Sequence, residues 1–235
     1  MRTYRTRLLL CAAAIFSLTC AHGEVSRQKV DVSLRLAFPP PVEHHIPPAV
    51  LWLSPIQAPP LLFPPHKRYT LGQQNRTFIP HLLVVPVGSV VIFPNKDPFF
   101  HNVFSLFDGK RFDLGLYEAG SAKDVTFSRE GVSYIFCNIH PEMSAVVLAL
   151  STPLYTIAEA NGTFQLSKVP VGDYEMHVWI EGISQPVLDG FTRHVHITSG
   201  TGDLGVLHIM SVPQLSAAHR NKFGQPYDRE IKPTY

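Results

Sequence analysis

The sequence predicts an all-β protein, and three observations carry that expectation. Short apolar runs, most of them alternating, recur along the chain and are bounded by Gly, Pro, Asn or Asp. Apolar spacing at the helical period is nearly absent. The 235 residues include 21 prolines, a density that suits strands joined by turns and would interrupt helices. The architecture expected is one of β-sandwiches or barrels.

In chain order, the first element is a segment to be removed. Arg2, Arg5 and Arg7 form a basic start, Leu8 to Thr19 is a twelve-residue apolar run, and Ala21-His22-Gly23 offers small residues for cleavage, so residues 1–23 read as a signal peptide. A lipoprotein anchor at Cys20 is the weaker reading, because Ser17-Leu18-Thr19 misplaces the leucine and the small residue. The mature chain then starts near Glu24, and the expected location is periplasmic or secreted. Cleavage takes the Lys+Arg against Asp+Glu count from 20 against 18 to 17 against 18, a balance with no electrostatic footprint for nucleic acid or an anionic membrane. No later stretch is expected to span a bilayer, since the apolar region from Ile46 to Pro65 carries seven prolines.

The strands follow: Val30–Leu36, Val50–Leu53, His81–Val85, Ser89–Phe93, Ser133–Phe136, Ala145–Leu150, Thr163–Leu166, Tyr174–Trp179 and Thr192–Ile197. Ten prolines between Pro39 and Pro65 prevent regular pairing over most of that stretch, which reads as an extended connector containing a short strand around Trp52. From Pro213 to Tyr235 the chain is polar and without periodicity, and is expected to be a flexible or draped tail.

Removal of Cys11 and Cys20 with the signal leaves one cysteine, Cys137, in an exported chain with no internal disulfide partner. It sits in Cys137-Asn138-Ile139-His140-Pro141-Glu142-Met143, 36 residues after His101. One thiolate, two imidazoles and one thioether make the ligand set of a mononuclear type 1 (blue) copper centre. Placing Cys, His and Met on one short loop, with the other His on a neighbouring strand, lets the fold impose the same geometry on both copper states. Zinc is a poorer fit, because methionine is a weak zinc ligand and structural zinc sites favour more thiolates. A Cys–His nucleophile lacks an orienting third group. His194 and His196 share one strand face and read as surface residues, as does the His44–His45 pair in the connector. Phe99 and Phe100 beside His101 read equally well as core or as an apolar collar that keeps water off the metal.

The runs Phe93-Pro94-Asn95-Lys96-Asp97, His101-Asn102-Val103-Phe104-Ser105, Phe112-Asp113, Gly131-Val132 and Phe136-Cys137 through Met143 together resemble the plastocyanin-like cupredoxins. From Phe78-Ile79-Pro80-His81 to Met143 they are similar to the cupredoxin proteins often labelled methylamine utilization protein. The resemblance implies a Greek-key sandwich or barrel over residues 67–151. It also implies one copper ion held by His101, Cys137 and His140 with Met143 axial, Asn102 as a brace, and electron transfer without catalysis. The Cys-x2-His-x2-Met spacing is shorter than in typical plastocyanins and similar to the ligand loop of amicyanins, so Glu142 or a backbone oxygen stays open as the axial donor.

Residues 152–211, with Ala160-Asn161-Gly162-Thr163-Phe164 and Val169-Pro170-Val171-Gly172-Asp173-Tyr174, resemble the carboxypeptidase regulatory-like, transthyretin-type β-sandwich, a module without catalysis of its own. About sixty residues make a thin domain, so residues 24–66 are expected to supply its missing strands, with the copper-binding region inserted between. The alternative is that Val30–Leu53 completes the copper-binding sandwich. The function expected is a one-electron carrier between periplasmic redox partners such as a c-type cytochrome or a dehydrogenase. The competing class is a copper-binding, sensing or assembly scaffold without electron turnover, and residues 212–235 stay outside either domain as a tail.

Overall fold

The computed structural model describes residues 28–40, 46–57, 63, 68–106, 109–210, 213 and 220–227. The expected signal peptide, His44 and His45, much of the proline-rich connector and most of the C-terminal tail lie outside the described residues. The fold is all β, in several open sheets none of which closes into a barrel, with one short helix, α1 (Gln185–Asp189), among the described residues.

The chain begins with β1 (Lys29–Ala37) and β2 (Ala49–Pro55), whose alternate residues Val32, Leu34 and Leu36 on β1 are buried. Both strands find their partners far along the sequence. β1 lies between β14 (Thr163–Pro170), antiparallel, and β17 (Asp203–His208), parallel. β2 lies between β13 (Tyr155–Ile157) and β15 (Gly172–Ile180), and β15 continues to the edge strand β16 (Arg193–Ile197). The two sheets pack over one core that includes Leu34, Leu51, Phe164, Met176 and Trp179. The Asn161-Gly162 turn ahead of β14 needs its glycine, which has φ +80° and would carry a Cβ 3.2 Å from the Leu36 carbonyl.

Residues 68–150 form the second sandwich. Its small sheet runs β10 (Ala122–Phe127), β7 (Ser89–Pro94), β3 (Tyr69–Thr70). Its large sheet runs β6 (Leu82–Pro86), β12 (Ser144–Leu150), β11 (Gly131–Phe136), β8 (His101–Ser105), β9 (Phe112–Tyr117). The small hairpin of β4 (Gly72–Gln74) and β5 (Thr77–Ile79) adjoins them. Between the sheets lies a second core, with Phe78, Phe93, Val103, Phe127, Ile135 and Val147.

The large sheet is covered on both faces. On β12, Ala145, Val147 and Ala149 belong to the core of their own sandwich, whereas Val146, Leu148 and Leu150, all at 1 % exposure or less, belong to the core of the other. This double burial explains why Ala145–Leu150 is apolar without alternation, and each large side chain on the shared face contributes roughly 1.5–3 kcal/mol. Tyr134 on β11 meets Trp179 on β15 with ring centroids 6.5 Å apart, and the His81 imidazole bonds Glu181 at 2.8 Å across the same boundary.

Candidate metal centre

β11 ends at Phe136 and β12 starts at Ser144, so the seven residues between them form a tight loop at the end of the large sheet. The Cys137 N–H donates to the Met143 carbonyl at 3.3 Å and the Met143 N–H to the His140 carbonyl at 3.0 Å, closing the loop on itself. His101 is the first residue of β8, which pairs with β11 through Phe104 and Phe136. The fold thereby brings His101, Cys137 and His140 together: all three are buried, and one ligand atom from each lies within 4.8 Å of the others.

The donor spacing suits a metal ion. His101 Nδ1 and His140 Nδ1 are 3.1 Å apart, and they lie 3.8 and 3.5 Å from Cys137 Sγ. Metal–nitrogen bonds of about 2.0 Å and metal–sulfur bonds of about 2.3 Å place such donors roughly 3.3–3.7 Å apart. Met143 is on the same loop and 1 % exposed, while Glu142 beside it is exposed.

The protonation states point the same way. Burial lowers the His140 imidazole to about 4, with His101 adding to the effect, and burial likewise lowers His101 against the pull of Asp97. Both rings are therefore neutral near pH 7 and offer lone pairs. Burial raises the Cys137 thiol, so metal uptake must displace its proton.

Around the cluster is a set of braces. His101 Nε2 donates to Asp97 Oδ2 at 2.8 Å, which assigns the hydrogen to Nε2 and turns the Nδ1 lone pair toward the cluster. Asp97 is fixed by the Asn75 and Arg76 N–H groups at 2.6 and 2.9 Å. Burial alone would push its carboxyl up, but these donors and His101 together hold it below the ordinary value. Asn102 donates to Asp113 Oδ1 at 2.7 Å and accepts the Asn138 N–H at 3.3 Å, tying the loop to β9. Phe99 packs against both imidazoles, its ring centroid 5.2 Å from His101 and 5.7 Å from His140, and the Arg76 guanidinium lies over the same ring, 5.3 Å from its centroid. Phe100 instead is 53 % exposed. His194 and His196 lie on the edge strand β16, both close to Asp173 and exposed.

Asp97 has no role in the sequence motifs above, although its place four residues before His101 is a signal for the carboxylate partner of a ligand histidine. Lys222 and Tyr227 had no signal: they are 84 and 90 residues from the loop groups they bond.

Fold and site together define an all-β sandwich protein with a buried histidine–cysteine–histidine cluster that fits a copper ion. No family model and no curated protein matches the sequence. Among solved structures the chain is similar to a purple cupredoxin from Nitrosopumilus maritimus, at 24% identity and TM-score 0.32 over 35% of this chain and 99% of that one. It is also similar to a reduced tryptophan-to-tyrosine variant of amicyanin, at 21% identity and TM-score 0.34 over 35% and 82%. A reduced proline-to-phenylalanine variant of amicyanin gives 22% identity and TM-score 0.33 over 35% and 82%.

Proposed function

We propose that this chain is an exported, mononuclear type 1 copper protein that carries single electrons between redox proteins outside the cytoplasm, a c-type cytochrome or a dehydrogenase being the kind of partner required. The observation that carries the reading is the buried cluster of His101 Nδ1, His140 Nδ1 and Cys137 Sγ, spaced for one ion and built from two neutral imidazoles and one thiol. Bound there, copper supplies a one-electron couple between its Cu(II) and Cu(I) states. The protein supplies the rest. His101 and His140 offer lone pairs, and Asp97 orients the His101 ring. Cys137 would provide the soft thiolate once its proton has left, and Met143, buried on the same loop, would offer its thioether as a further, weaker donor. Cys137 and His140 are buried at 0 % and 3 % exposure, and an electron, unlike a substrate, needs no direct contact with the donor atoms, which supports the carrier reading. The basic and apolar pattern of residues 1–23 supports export, and no described helix is long and apolar enough to cross a membrane.

Addition of Cu(II) to the purified protein tests the reading. An intense visible thiolate-to-copper band with narrow copper hyperfine splitting in electron paramagnetic resonance is expected, and Cys137→Ser should lose the band while retaining weaker copper binding at the two histidines. A spectrum indistinguishable from that of Cys137→Ser would refute the assignment. Tight Cu(I) binding without a reversible couple would turn the reading toward a copper-holding scaffold.

A further inference from the structure

The C-terminal segment 220–227 is a self-organised turn that reaches back to the metal loop. Asn221 Oδ1 accepts the N–H groups of Phe223 and Gln225, both at 3.0 Å, and the Asn221 and Gly224 N–H groups close the turn with Gln225 and Asn221 carbonyls. Gly224 takes φ +76°, a conformation that suits glycine. From this turn the Lys222 N–H donates to Asn138 Oδ1 at 2.9 Å, the Lys222 Nζ to Asp113 Oδ2 at 2.7 Å, and the Tyr227 hydroxyl to the Cys137 carbonyl at 2.8 Å.

These bonds complete a circuit. Lys222 bonds Asp113, Asp113 accepts Asn102, Asn102 accepts the Asn138 N–H, and the Asn138 side chain accepts the Lys222 N–H. The circuit passes through the residue that follows the thiol, and Tyr227 takes up the carbonyl of the thiol residue itself, just beyond the last β11 residue. We propose that Lys222 and Tyr227 are positioning residues of the metal centre: the segment is a strap that closes a hydrogen-bonded ring around the Cys137–His140 loop. It holds Cys137 in place and keeps solvent from it. As a statement about a copper centre this rests on the function proposed above; as a statement about the loop it does not.

Two effects set the direction of the change when the strap is weakened. Losing the hydroxyl removes a donor that draws electron density from the cysteine, and opening the strap admits water, which favours the more highly charged oxidised site. Both lower the reduction potential. A hydrogen bond is worth about 0.5–1.5 kcal/mol net, so its loss makes opening of the loop up to about tenfold more frequent.

The test uses the full chain with Tyr227→Phe, which keeps the ring and loses only the donor, and a chain ended before Arg220, which loses the strap. In the metal-free protein, alkylation of Cys137 by iodoacetamide is followed by peptide mass spectrometry, which separates it from Cys11 and Cys20. It should accelerate up to about tenfold in Tyr227→Phe and further in the shortened chain. With copper, both should show a shifted thiolate band and a lower potential, and Lys222→Arg should stay close to the parent where Lys222→Gln does not. Alkylation as slow as the parent's in both strap variants, with unchanged band and potential, overturns the proposal. Faster alkylation in a protein that takes up no copper would refute the copper reading and leave the strap's hold on the loop standing. If the shortened chain fails to fold, Tyr227→Phe decides.

Discussion

Of the four proposed donors, His101 comes from β8 and Cys137, His140 and Met143 from the loop, and Met143 is the one proposed to tune the site. It is buried at 1 % exposure, and its backbone bonds both His140 and Cys137, which fixes its place on the loop. A thioether is a soft, weak donor that favours Cu(I), whereas an amide oxygen is harder and favours Cu(II). Met143→Gln is therefore expected to keep the thiolate band, shift it, and lower the reduction potential, as read by spectroelectrochemistry. Glu142→Gln is expected to leave both unchanged, because Glu142 is exposed; a spectrum that follows Glu142 and ignores Met143 would make the glutamate the axial ligand.

Elements place those residues, and the connection from β8 to β9 packs closely on the start of β11, the strand that leads into the loop. Gly109, within that connection, lies directly on β11: a Cβ there would come 2.4 Å from the Val132 carbonyl and 2.6 Å from Ser133 Oγ. Two of the three closest atoms are backbone, so the contact cannot be relieved by a rotamer change. Gly109→Ala should cost about 1–3 kcal/mol by overpacking, read as a lower denaturant midpoint, and the displaced β11 should broaden the thiolate band. An alanine variant as stable as the parent would show that the connection shifts freely. The strands themselves were unevenly legible. β11 and β12 show in the sequence as apolar runs beside the cysteine, whereas β8, which carries His101, is buried at all five positions and reads as an irregular HNVFS. Two of its three polar side chains have partners from outside the strand, Asp97 for His101 and Asp113 for Asn102, while Ser105 Oγ is buried without one, so no local alternation marks it.

Across the whole molecule the two sandwiches share the large sheet, and His81 and Glu181 clasp its edge. His81 donates from Nε2 to both Glu181 oxygens at 2.8 and 3.0 Å and from Nδ1 to the Ser144 carbonyl at 3.1 Å, a pattern that needs the doubly protonated ring. The Glu181 bond, opposed by partial burial and aided by the Ser144 carbonyl, raises the His81 pKa. A raised folded-state value means that the clasp contributes its full stability below the ordinary histidine value of about 6.5 and loses it as pH rises through the higher folded value. With the His81 side chain 42% exposed, the effect is a modest slope. Denaturant unfolding measured at successive pH values should show stability falling over that window, and Glu181→Gln should flatten the fall. An identical slope in the variant would remove His81 from the account.

What the sequence determined by itself was chemical and local. Period-two runs, prolines and turn residues are enough for an all-β chain, and the Cys-x2-His-x2-Met spacing assembles three donor types on one turn whatever surrounds it. Tertiary structure decided whatever depends on distance along the chain. β1 carries an ordinary alternating pattern and β2 a short apolar run, both of which would suit either sandwich, and only their pairing with β13, β14, β15 and β17 shows which core they complete. Asp97 becomes the partner of His101 only when β8 is in place, and Tyr227 meets the Cys137 carbonyl only when the chain's end returns to the loop. The physical reason is common to these cases: a backbone hydrogen bond or a buried apolar face records that a partner is required, and carries no information about which distant segment supplies it.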